Sequence, residues 1–481
     1  MKKIKLGTAT AAFQCEGHLE TDGRGKCIWD DVLLNDKSIA KYNPEPASDF
    51  YKSFDVDIKL AKEYGIEVFR LSIAWSRIFP TDASTVNKKA VEQYHKMFKA
   101  MIEKGIIPNV TLHHFDSPQW FVEKGDFLSK GNIDDFLVFA EFCFKEFSEI
   151  KYWSTLNEIN AYSSHKNLKS ALPPYFKLEY GHYFKQQYNM VLAHAKTVNL
   201  FKKLKIDGEI GVPCNVCPFQ PLDKENSEDV FVADKANAIV NWSFLEPITS
   251  GKYSTKTIDL INKVLENYDF IFKPQSKDLE EIKLARENLD WVGINYYYTT
   301  FVTKPDEKID FSVNTTGEKG KTKFNIPWLW KTVQKPGVKS THWDWPIYPE
   351  GLAIVIKWVS EKYNCKLPIH ITENGFGDLE DITKTPFIKD YDRIQYIQDH
   401  FDVIQRLIDE GEKIEHYYLW SHMDMFSWTN GYNKRYGLFY VDFETQKRFE
   451  KLSAYWWLEK SKQDRFDEKV DLKELEKKLG K

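Results

Sequence analysis

Cysteine is scarce in this sequence, with six residues among 481. Small domains that depend on disulfides carry a much higher share, so we expect most of these cysteines to pack as small buried side chains. Cys214 and Cys217 form a CxxC pair, but no second pair and no nearby histidine accompany them. A metal or redox role for the pair is therefore the less favoured interpretation.

An excess of positive charge is also absent, because 67 lysines and arginines are balanced by 71 acidic residues and the net charge is −4. Such a balance offers no basic field to attract nucleic acid. No apolar run approaches the roughly 18 residues of a membrane span, and the first residues lack the apolar run of a signal peptide. We therefore expect a cytoplasmic protein that binds neither nucleic acid nor membrane.

What the chain does have is a regular alternation of short β-rich runs with longer amphipathic segments such as DRIQYIQDHFDVIQRLIDEG. Eight such alternations predict a parallel sheet closed into a single (β/α)8 TIM barrel. An open doubly wound sheet is the alternative, disfavoured because no Gly-rich phosphate loop follows the first run. The eight runs are KIKLGTAT, IEVFRLSIAW, IIPNVTLHH, IKYWSTLN, GEIGVPCN, LDWVGINYY, LPIHITEN and IEHYYLWS.

No linker rich in proline and glycine divides the chain, so we expect one barrel unit over residues 1–463. The polar stretch 302–345 is predicted to form extended loops at the C-terminal face of the barrel. Residues 464–481 are rich in charge and predict a helical tail. A solvent-exposed helix is its default interpretation, and a role in assembly is the alternative.

Reactive side chains lie in or directly after these runs, and barrel enzymes place their chemistry at the C-terminal ends of the strands. Glu158 and Glu373 come from the fourth and seventh runs, which face each other across a barrel of eight. Glycoside hydrolysis needs such a pair, one as an acid and one as a nucleophile or base. Taken singly, a glutamate after a strand is more often an ordinary surface residue. The other side chains are Arg70, His113, His114, Asn157, Asn295, Tyr296, Tyr297, Asn374 and Trp420.

A metal-dependent hydrolase is the competing interpretation of the segment LHHFD, in which His113, His114 and Asp116 could be ligands. A catalytic zinc takes three protein ligands and a water molecule. No further histidine follows another strand at a recognisable spacing, so we predict neither a metal nor a cofactor. Tryptophans near the strand ends could stack on sugar rings, although packing is the plainer explanation for many of them. These tryptophans are Trp120, Trp343, Trp345, Trp420 and Trp428.

Several segments, in order, resemble family 1 of the glycoside hydrolases over residues 4 to 460. The resemblance implies a retaining double displacement with Glu158 as acid/base and Glu373 as nucleophile, steadied by Arg70 and Tyr297. It also implies that sugar hydroxyls are bound by Gln14, His114, Asn157 and Asn295. Many members have proline where this chain has Ile159, a position that makes no bond to substrate. The segments are GTATAAFQCEG, FRLSIAWSRIFP, TLHHFDSPQW, TLNEIN, GINYY, PEGL, ITENG and LWSHMDMFSWTNGYNKRYGLFYVDF.

The segment FSWTNGYNKRYG departs from most of the family, because members that cleave unphosphorylated sugars usually carry glutamate where this chain has Ser427. A phosphate monoester carries a charge of about −1.5 to −2. A carboxylate about 4 Å away would repel each unit by roughly 4 kcal/mol at an effective dielectric constant near 20. Ser427 removes that repulsion, and Lys434 and Tyr436 supply donors, as in the branch that acts on 6-phosphorylated glycosides. A solvated pair of Lys434 and Arg435 is the alternative interpretation.

Trp428, directly after this serine, resembles the members that act on 6-phospho-β-galactosides, whereas those acting on the glucosides tend to have a small residue. An indole beside the sugar's 4-position would favour the axial hydroxyl, a steric preference worth about 1–3 kcal/mol. The resemblance therefore implies a phosphorylated disaccharide substrate, lactose 6-phosphate, delivered by a sugar phosphotransferase system. The alternatives are activity on 6-phospho-β-glucosides, activity on unphosphorylated β-glycosides, and a non-catalytic sensor of sugar phosphates.

Overall fold

The computed structural model describes residues 4–30, 32 and 43–480. Eight parallel strands, here β1 to β8, close into one barrel in which each pairs with its neighbour in the chain and β8 pairs with β1. They coincide with the eight predicted runs, so the (β/α)8 prediction is confirmed. The strands are Lys5–Ala9, Val68–Ser72, Ile107–His113, Tyr152–Leu156, Glu209–Asn215, Trp291–Asn295, Ile369–Asn374 and Ile414–Trp420.

Helices cover the outer face of the barrel and bury one apolar stripe each. The helix Tyr391–Asp409 shows the pattern, since its buried Ile394, Ile397, Phe401 and Ile404 recur at spacings of three and four. Because both faces of the strands are then covered, strands such as β2 and β7 are buried along their whole length. The helices of this outer layer are Phe50–Glu63, Lys88–Glu103, Ile133–Glu146, Tyr180–Lys203, Ser276–Asn288, Glu350–Lys357, Tyr391–Asp409 and Leu452–Ser461.

Further helices lie in the connections between the main elements. They are Ala12–Cys15, Trp75–Ile78, Gln119–Glu123, Ile159–Asn167, Ser227–Asn237, Ser243–Ser250 and Thr255–Leu265. Single turns of 3₁₀ or π helix are Asp126–Leu128, Lys130–Asn132, Ala238–Trp242 and Trp358–Lys362. Among the described residues, no helix has both the length and the apolar character to cross a membrane.

A second sheet of five short strands lies outside the barrel and has its own small core, which includes Phe219, Val302 and Trp330. The polar stretch 302–345, predicted as loops, supplies three of these strands; each is three residues long and too short to leave a periodic signal in the sequence. In sheet order the strands are Phe219–Pro221, Thr300–Thr303, Lys331–Val333, Lys323–Asn325 and Asp310–Ser312. A separate hairpin joins Phe439–Val441 to Arg448–Glu450.

The C-terminal tail contains the helix Leu472–Leu479, which begins at the capping side chain of Asp471. Leu475 is its buried residue, and Lys389 of the barrel forms an ion pair of 2.7 Å with Glu476. The helix therefore contacts the barrel along one side and exposes its other charges. A domain division at residue 463 stays a prediction.

Candidate active site

The two glutamates predicted to be catalytic lie in one hydrogen-bond network at the C-terminal end of the barrel. Glu158 follows β4 and Glu373 lies in β7, and both side chains are buried. Asn295, the last residue of β6, donates from Nδ2 to Glu158 Oε1 at 2.8 Å. Arg70 of β2 donates from Nη1 to Glu373 Oε1 at 2.6 Å. These four side chains, all named as candidates from the sequence, therefore lie in one site.

Asn157 joins the two halves of this network. Its Oδ1 accepts from Arg70 Nη2 at 2.7 Å and from Asn295 Nδ2 at 3.2 Å, which orients its Nδ2 to donate to His114 Nε2 at 3.0 Å. Asn295 is oriented in turn by Thr372, whose hydroxyl donates to Asn295 Oδ1 at 2.6 Å. Thr372 was not among the residues predicted for the site. The one signal in the sequence was its position beside Glu373 at a strand end.

Glu158 has the electrostatic character of an acid. Burial raises the pKa of Glu158 to about 8, and the negative charge of Glu373 adds to the rise, whereas the hydrogen bond from Asn295 opposes it. A carboxyl group with such a pKa holds its proton at neutral pH and can donate it to a leaving group.

The surroundings of Glu373 favour the charged carboxylate more strongly than those of Glu158 do. Burial raises the pKa of Glu373 as well, but the charge of Arg70 and hydrogen bonds from Tyr297, Arg70 and Asn295 act against that rise. The Tyr297 hydroxyl donates to Glu373 Oε2 at 2.6 Å, so both carboxylate oxygens accept a short hydrogen bond. Of the two carboxyl groups, Glu373 is therefore the one that keeps the negative charge.

Two tryptophans flank His114, and Gln14 is bonded to the segment that carries one of them. Gln14 lies in the short helix after β1 and donates from Nε2 to the carbonyl of Phe426 at 2.7 Å, which ties that helix to the segment of Trp428. The His114 ring stacks on Trp420, with centroids 5.8 Å apart, and on Trp428, at 6.3 Å. The predicted sugar contacts of these residues stay predictions.

Trp428 is held in place by other aromatic rings. Its indole stacks on Trp29 at 4.6 Å between centroids and lies parallel to Phe13 at 6.0 Å. Phe115 contacts it at 5.4 Å. A ring fixed in this way presents a rigid surface next to His114 and can act as a steric selector.

Lys434 is a buried cation that contacts no acidic side chain among the described residues. Its side chain is almost fully enclosed, and Nζ lies 3.3 Å from the ring centre of Trp345 and 4.6 Å from that of Trp343. Over the described part of the chain, no carboxylate oxygen lies within 4.0 Å of this nitrogen. Burial alone lowers the pKa of Lys434. Trp343 and Trp345, expected as sugar platforms, thus hold a lysine.

Arg435 differs from its neighbour because its charge is neutralised inside the protein. Its Nη1 donates to Asp424 Oδ2 at 2.9 Å, and the guanidinium lies 4.0 Å from the ring centre of Tyr440. The sequence alone left open which of the two adjacent cations faces a ligand. Of the two, Lys434 is the one with a charge still to be paired.

Ser427 and Tyr436 complete the set predicted to bind phosphate. The Ser427 hydroxyl accepts from Asn430 Nδ2 at 3.3 Å, and its backbone N–H donates to Gly431 in a tight turn. The Tyr436 ring lies 5.3 Å from Lys434 Nζ and 6.3 Å from the ring of Tyr297, which bonds Glu373. Tyr436 therefore packs beside the side chain that bonds Glu373, and Lys434 lies next to Tyr436.

Two of the side chains considered as metal ligands have hydrogen-bond partners within the protein. His113 Nε2 lies 2.9 Å from the Ser117 hydroxyl, and burial lowers the pKa of His113 to about 4. Cys217 Sγ lies 3.2 Å from the Thr300 hydroxyl. Trp120, which was considered for sugar stacking and not as a metal ligand, donates to the carbonyl of Phe79 and packs there. The described residues contain no group of three or more His, Cys, Asp or Glu side chains that could hold a metal ion.

Comparison with known proteins agrees with this geometry. The model of glycosyl hydrolase family 1 matches residues 2–466. The chain is 44% identical to a 6-phospho-beta-galactosidase of Leptotrichia buccalis over 94% of its own length and 96% of that protein. A family 1 β-glucosidase of Thermotoga maritima superposes with a TM-score of 0.86 at 29% identity, covering 97% of this chain and 98% of that one. A β-glucosidase of Exiguobacterium marinum gives 0.84 at 32% identity, covering 96% and 98%. The predicted family is confirmed: the chain belongs to glycosyl hydrolase family 1.

Proposed function

We propose that the protein hydrolyses 6-phospho-β-galactosides with retention of configuration at the anomeric carbon. The observation that carries the phosphate part is the buried ammonium of Lys434, which has no described carboxylate within 4.0 Å. An unpaired buried charge is costly, and a dianionic phosphate would neutralise it. Ser427 supports the same conclusion because it adds a donor where a carboxylate would repel that phosphate.

The relatives agree with this assignment on different grounds. The Leptotrichia protein carries the name 6-phospho-beta-galactosidase, and this chain shares 44% of its residues over 94% of its length. The β-glucosidases share the barrel at about 30% identity, so the barrel alone does not choose between plain and phosphorylated sugars. That choice depends on Ser427, Lys434 and Tyr436.

The chemistry follows from the two carboxyl groups. In the first step Glu158 gives its proton to the glycosidic oxygen while Glu373 attacks the anomeric carbon, so that the aglycon leaves and a glycosyl ester of Glu373 forms. In the second step Glu158, now a carboxylate, takes a proton from water as the water oxygen attacks the same carbon and Glu373 departs. Both inversions together give retention, and the proton balance is restored.

The neighbouring side chains make these steps possible. Arg70 and Tyr297 hold Glu373 charged and aimed before attack and stabilise it again as it leaves. Asn295 bonds Glu158, and Asn157 bridges the two halves of the network. We assign the sugar hydroxyls to Asn157 and Asn295 together with Gln14, His114 and Trp420.

Trp428 supports the galactoside over the glucoside. Its indole is fixed against Trp29 and Phe13 and lies beside His114. A rigid ring at the 4-position would admit an axial hydroxyl and crowd an equatorial one. Since such a preference is worth about 1–3 kcal/mol, some turnover of the glucoside is expected.

The test is a comparison of steady-state rates on four nitrophenyl β-glycosides: galactoside and glucoside, each with and without the 6-phosphate. We expect the phosphorylated galactoside to have the highest kcat/KM and the plain sugars to have the lowest. Higher kcat/KM on the plain sugars would contradict the phosphate assignment. A preference for the phosphorylated glucoside would contradict the role of Trp428 alone, and binding without hydrolysis would indicate a sensor.

A cytoplasmic location belongs to the same proposal. A disaccharide phosphate carries a charge of about −2 and does not cross a lipid bilayer unaided. A phosphotransferase system forms such substrates as it delivers them to the cytoplasm, so an enzyme that consumes them is expected there. Fractionation with detection of the protein would test this.

A further inference from the structure

Gly377 lies four residues after Glu373 and contacts both cation and phenol of the proposed phosphate site. A Cβ atom built at this position would lie 2.8 Å from Cγ and Cε of Lys434 and 2.8 Å from Cζ of Tyr436. These distances are well below van der Waals contact. The backbone of Gly377 therefore serves as the surface on which the Lys434 stem and the Tyr436 ring lie.

Neither side chain can move away from such a Cβ without giving up its present contacts. The Lys434 ammonium is already held against Trp345 at 3.3 Å and Trp343 at 4.6 Å. Tyr436 is buried and packs against Tyr297. Because a close-packed interior leaves no spare volume, Lys434, the more flexible of the two side chains, is the one expected to shift.

The backbone on either side is also fixed. Asp378 N donates to Arg435 O at 2.9 Å, and Arg435 N donates to Asp378 O at 3.0 Å. Arg435 is anchored further by its bond to Asp424 and by Arg393, whose Nη2 donates to the Arg435 carbonyl at 2.9 Å. The loop that follows the nucleophile and the segment 434–436 thus form one rigid unit in which the single adjustable group would be the lysine side chain.

We propose that Gly377 is a specificity-determining residue: the lack of a side chain at this position is what allows the Lys434 ammonium to reach the 6-phosphate of the substrate. This inference rests on the proposed function. It assigns the preference for phosphorylated sugars to a residue that bears no charge and contacts the substrate only through Lys434 and Tyr436. Glu373 is bonded by Arg70 as well as by Tyr297, so chemistry on a plain sugar should depend on Gly377 much less than phosphate binding does.

The test is Gly377→Ala, with Gly131→Ala as the matched control because a Cβ at Gly131 would meet no atom within 4 Å. For Gly377→Ala we expect KM on nitrophenyl galactoside 6-phosphate to rise about tenfold or more, the loss of one bond to a charged group. The kcat/KM for plain nitrophenyl galactoside should fall by a much smaller factor. Equal losses on both substrates, or no loss on either, would overturn the inference.

A double variant guards against a folding defect. Gly377→Ala combined with Lys434→Ala should show the same phosphate preference as Lys434→Ala alone, because the lysine is then absent and the space that it leaves lets Tyr436 move away from the Cβ. If the single variant does not fold, recovery of folding in the double variant supports the contact, and an equally unfolded double variant overturns the inference. If Lys434→Ala itself leaves the phosphate preference unchanged, the proposed function fails; if only Gly377→Ala does so, this inference alone fails.

Discussion

Two cations are buried at the same end of the barrel, and they differ in where their anion comes from. Arg70 is 0% exposed and donates to Glu373, Asn157 and Thr111. Lys434 is 1% exposed and lies against indole rings, with no described carboxylate within 4.0 Å. The charge of Arg70 is therefore part of the catalyst, whereas the charge of Lys434 is available to a ligand.

The indole rings lower the cost of burying Lys434 without removing it. A desolvated cation–π contact is worth about 2 kcal/mol, while an unpaired buried charge costs several kcal/mol even after relaxation. The difference appears as the lowered pKa of Lys434, and an incoming phosphate can recover it because it favours the protonated ammonium. The same difference predicts opposite effects on stability when each cation is replaced by methionine: Arg70→Met should lower the melting temperature and Lys434→Met should leave it unchanged or raise it.

The largest effect should come from removing the anion that Arg70 holds. Glu373→Ala should lower turnover on the order of 10⁴-fold or more, because the loss of one member of a cooperating catalytic group removes most of the effect of the whole group. Azide should restore turnover and give the inverted glycosyl azide, which product analysis by NMR would detect. Glu307→Ala, at an exposed glutamate, is the control and should keep full activity. Absence of rescue in a folded Glu373→Ala protein would count against the nucleophile assignment.

Lys434→Met tests the other side of the comparison. We expect KM for the phosphorylated galactoside to rise roughly 10- to 100-fold, since a bond to a charged acceptor is worth about 1.5–3 kcal/mol, while the plain galactoside changes less than twofold. Steady-state kinetics on both substrates would measure this. Lys362→Met is a matched control, because Lys362 Nζ lies 3.1 Å from the ring centre of Trp242 in the outer layer. Equal losses on both substrates would remove the phosphate role.

The pH profile tests the acid beside the charged nucleophile. The pKa of Glu158 is raised to about 8, so its protonated, active form dominates below that pH and is lost above it. With lactose 6-phosphate, kcat should be level near neutral pH and fall about tenfold per unit above about pH 8. The second ionisation of the phosphate, near pH 6, affects only the acid side. A fall that begins near pH 5 would show an unshifted carboxyl group instead.

Trp428→Ala should give the smallest of these effects. Removing the fixed indole should reduce the preference for the galactoside over the glucoside, both phosphorylated, by about tenfold, within the 1–3 kcal/mol range of a steric choice. The ratio of the two kcat/KM values measures it. Trp358→Ala, at a tryptophan of the outer helical layer, should leave the ratio unchanged. An unchanged ratio in Trp428→Ala would place the selection elsewhere.

The barrel could be predicted from the sequence because its strands and helices are long enough to show their periods. The second sheet could not, since strands such as Asp310–Ser312 are three residues long and lie in polar sequence. Glu158 and Glu373 were found because topology places strand ends together, whatever the loops do.

Other features of the site depend on contacts that the sequence does not encode locally. The pairing of Arg435 with Asp424 joins residues eleven positions apart through a folded loop. The place of Gly377 beneath Lys434 joins segments from β7 and from beyond β8. A glycine beside a catalytic residue has many possible reasons, and only the packing identifies this one.

The rings of Trp343 and Trp345 around Lys434 also bear on how a catalytic cycle ends. The phosphate remains on the glycon through both steps, so the released sugar carries the same anion that drew the substrate in. We therefore expect galactose 6-phosphate to be a competitive inhibitor and its departure to slow as salt is lowered, whereas free galactose should inhibit far more weakly. A tighter bond between this ammonium and the phosphate therefore raises the affinity for substrate and slows the release of product.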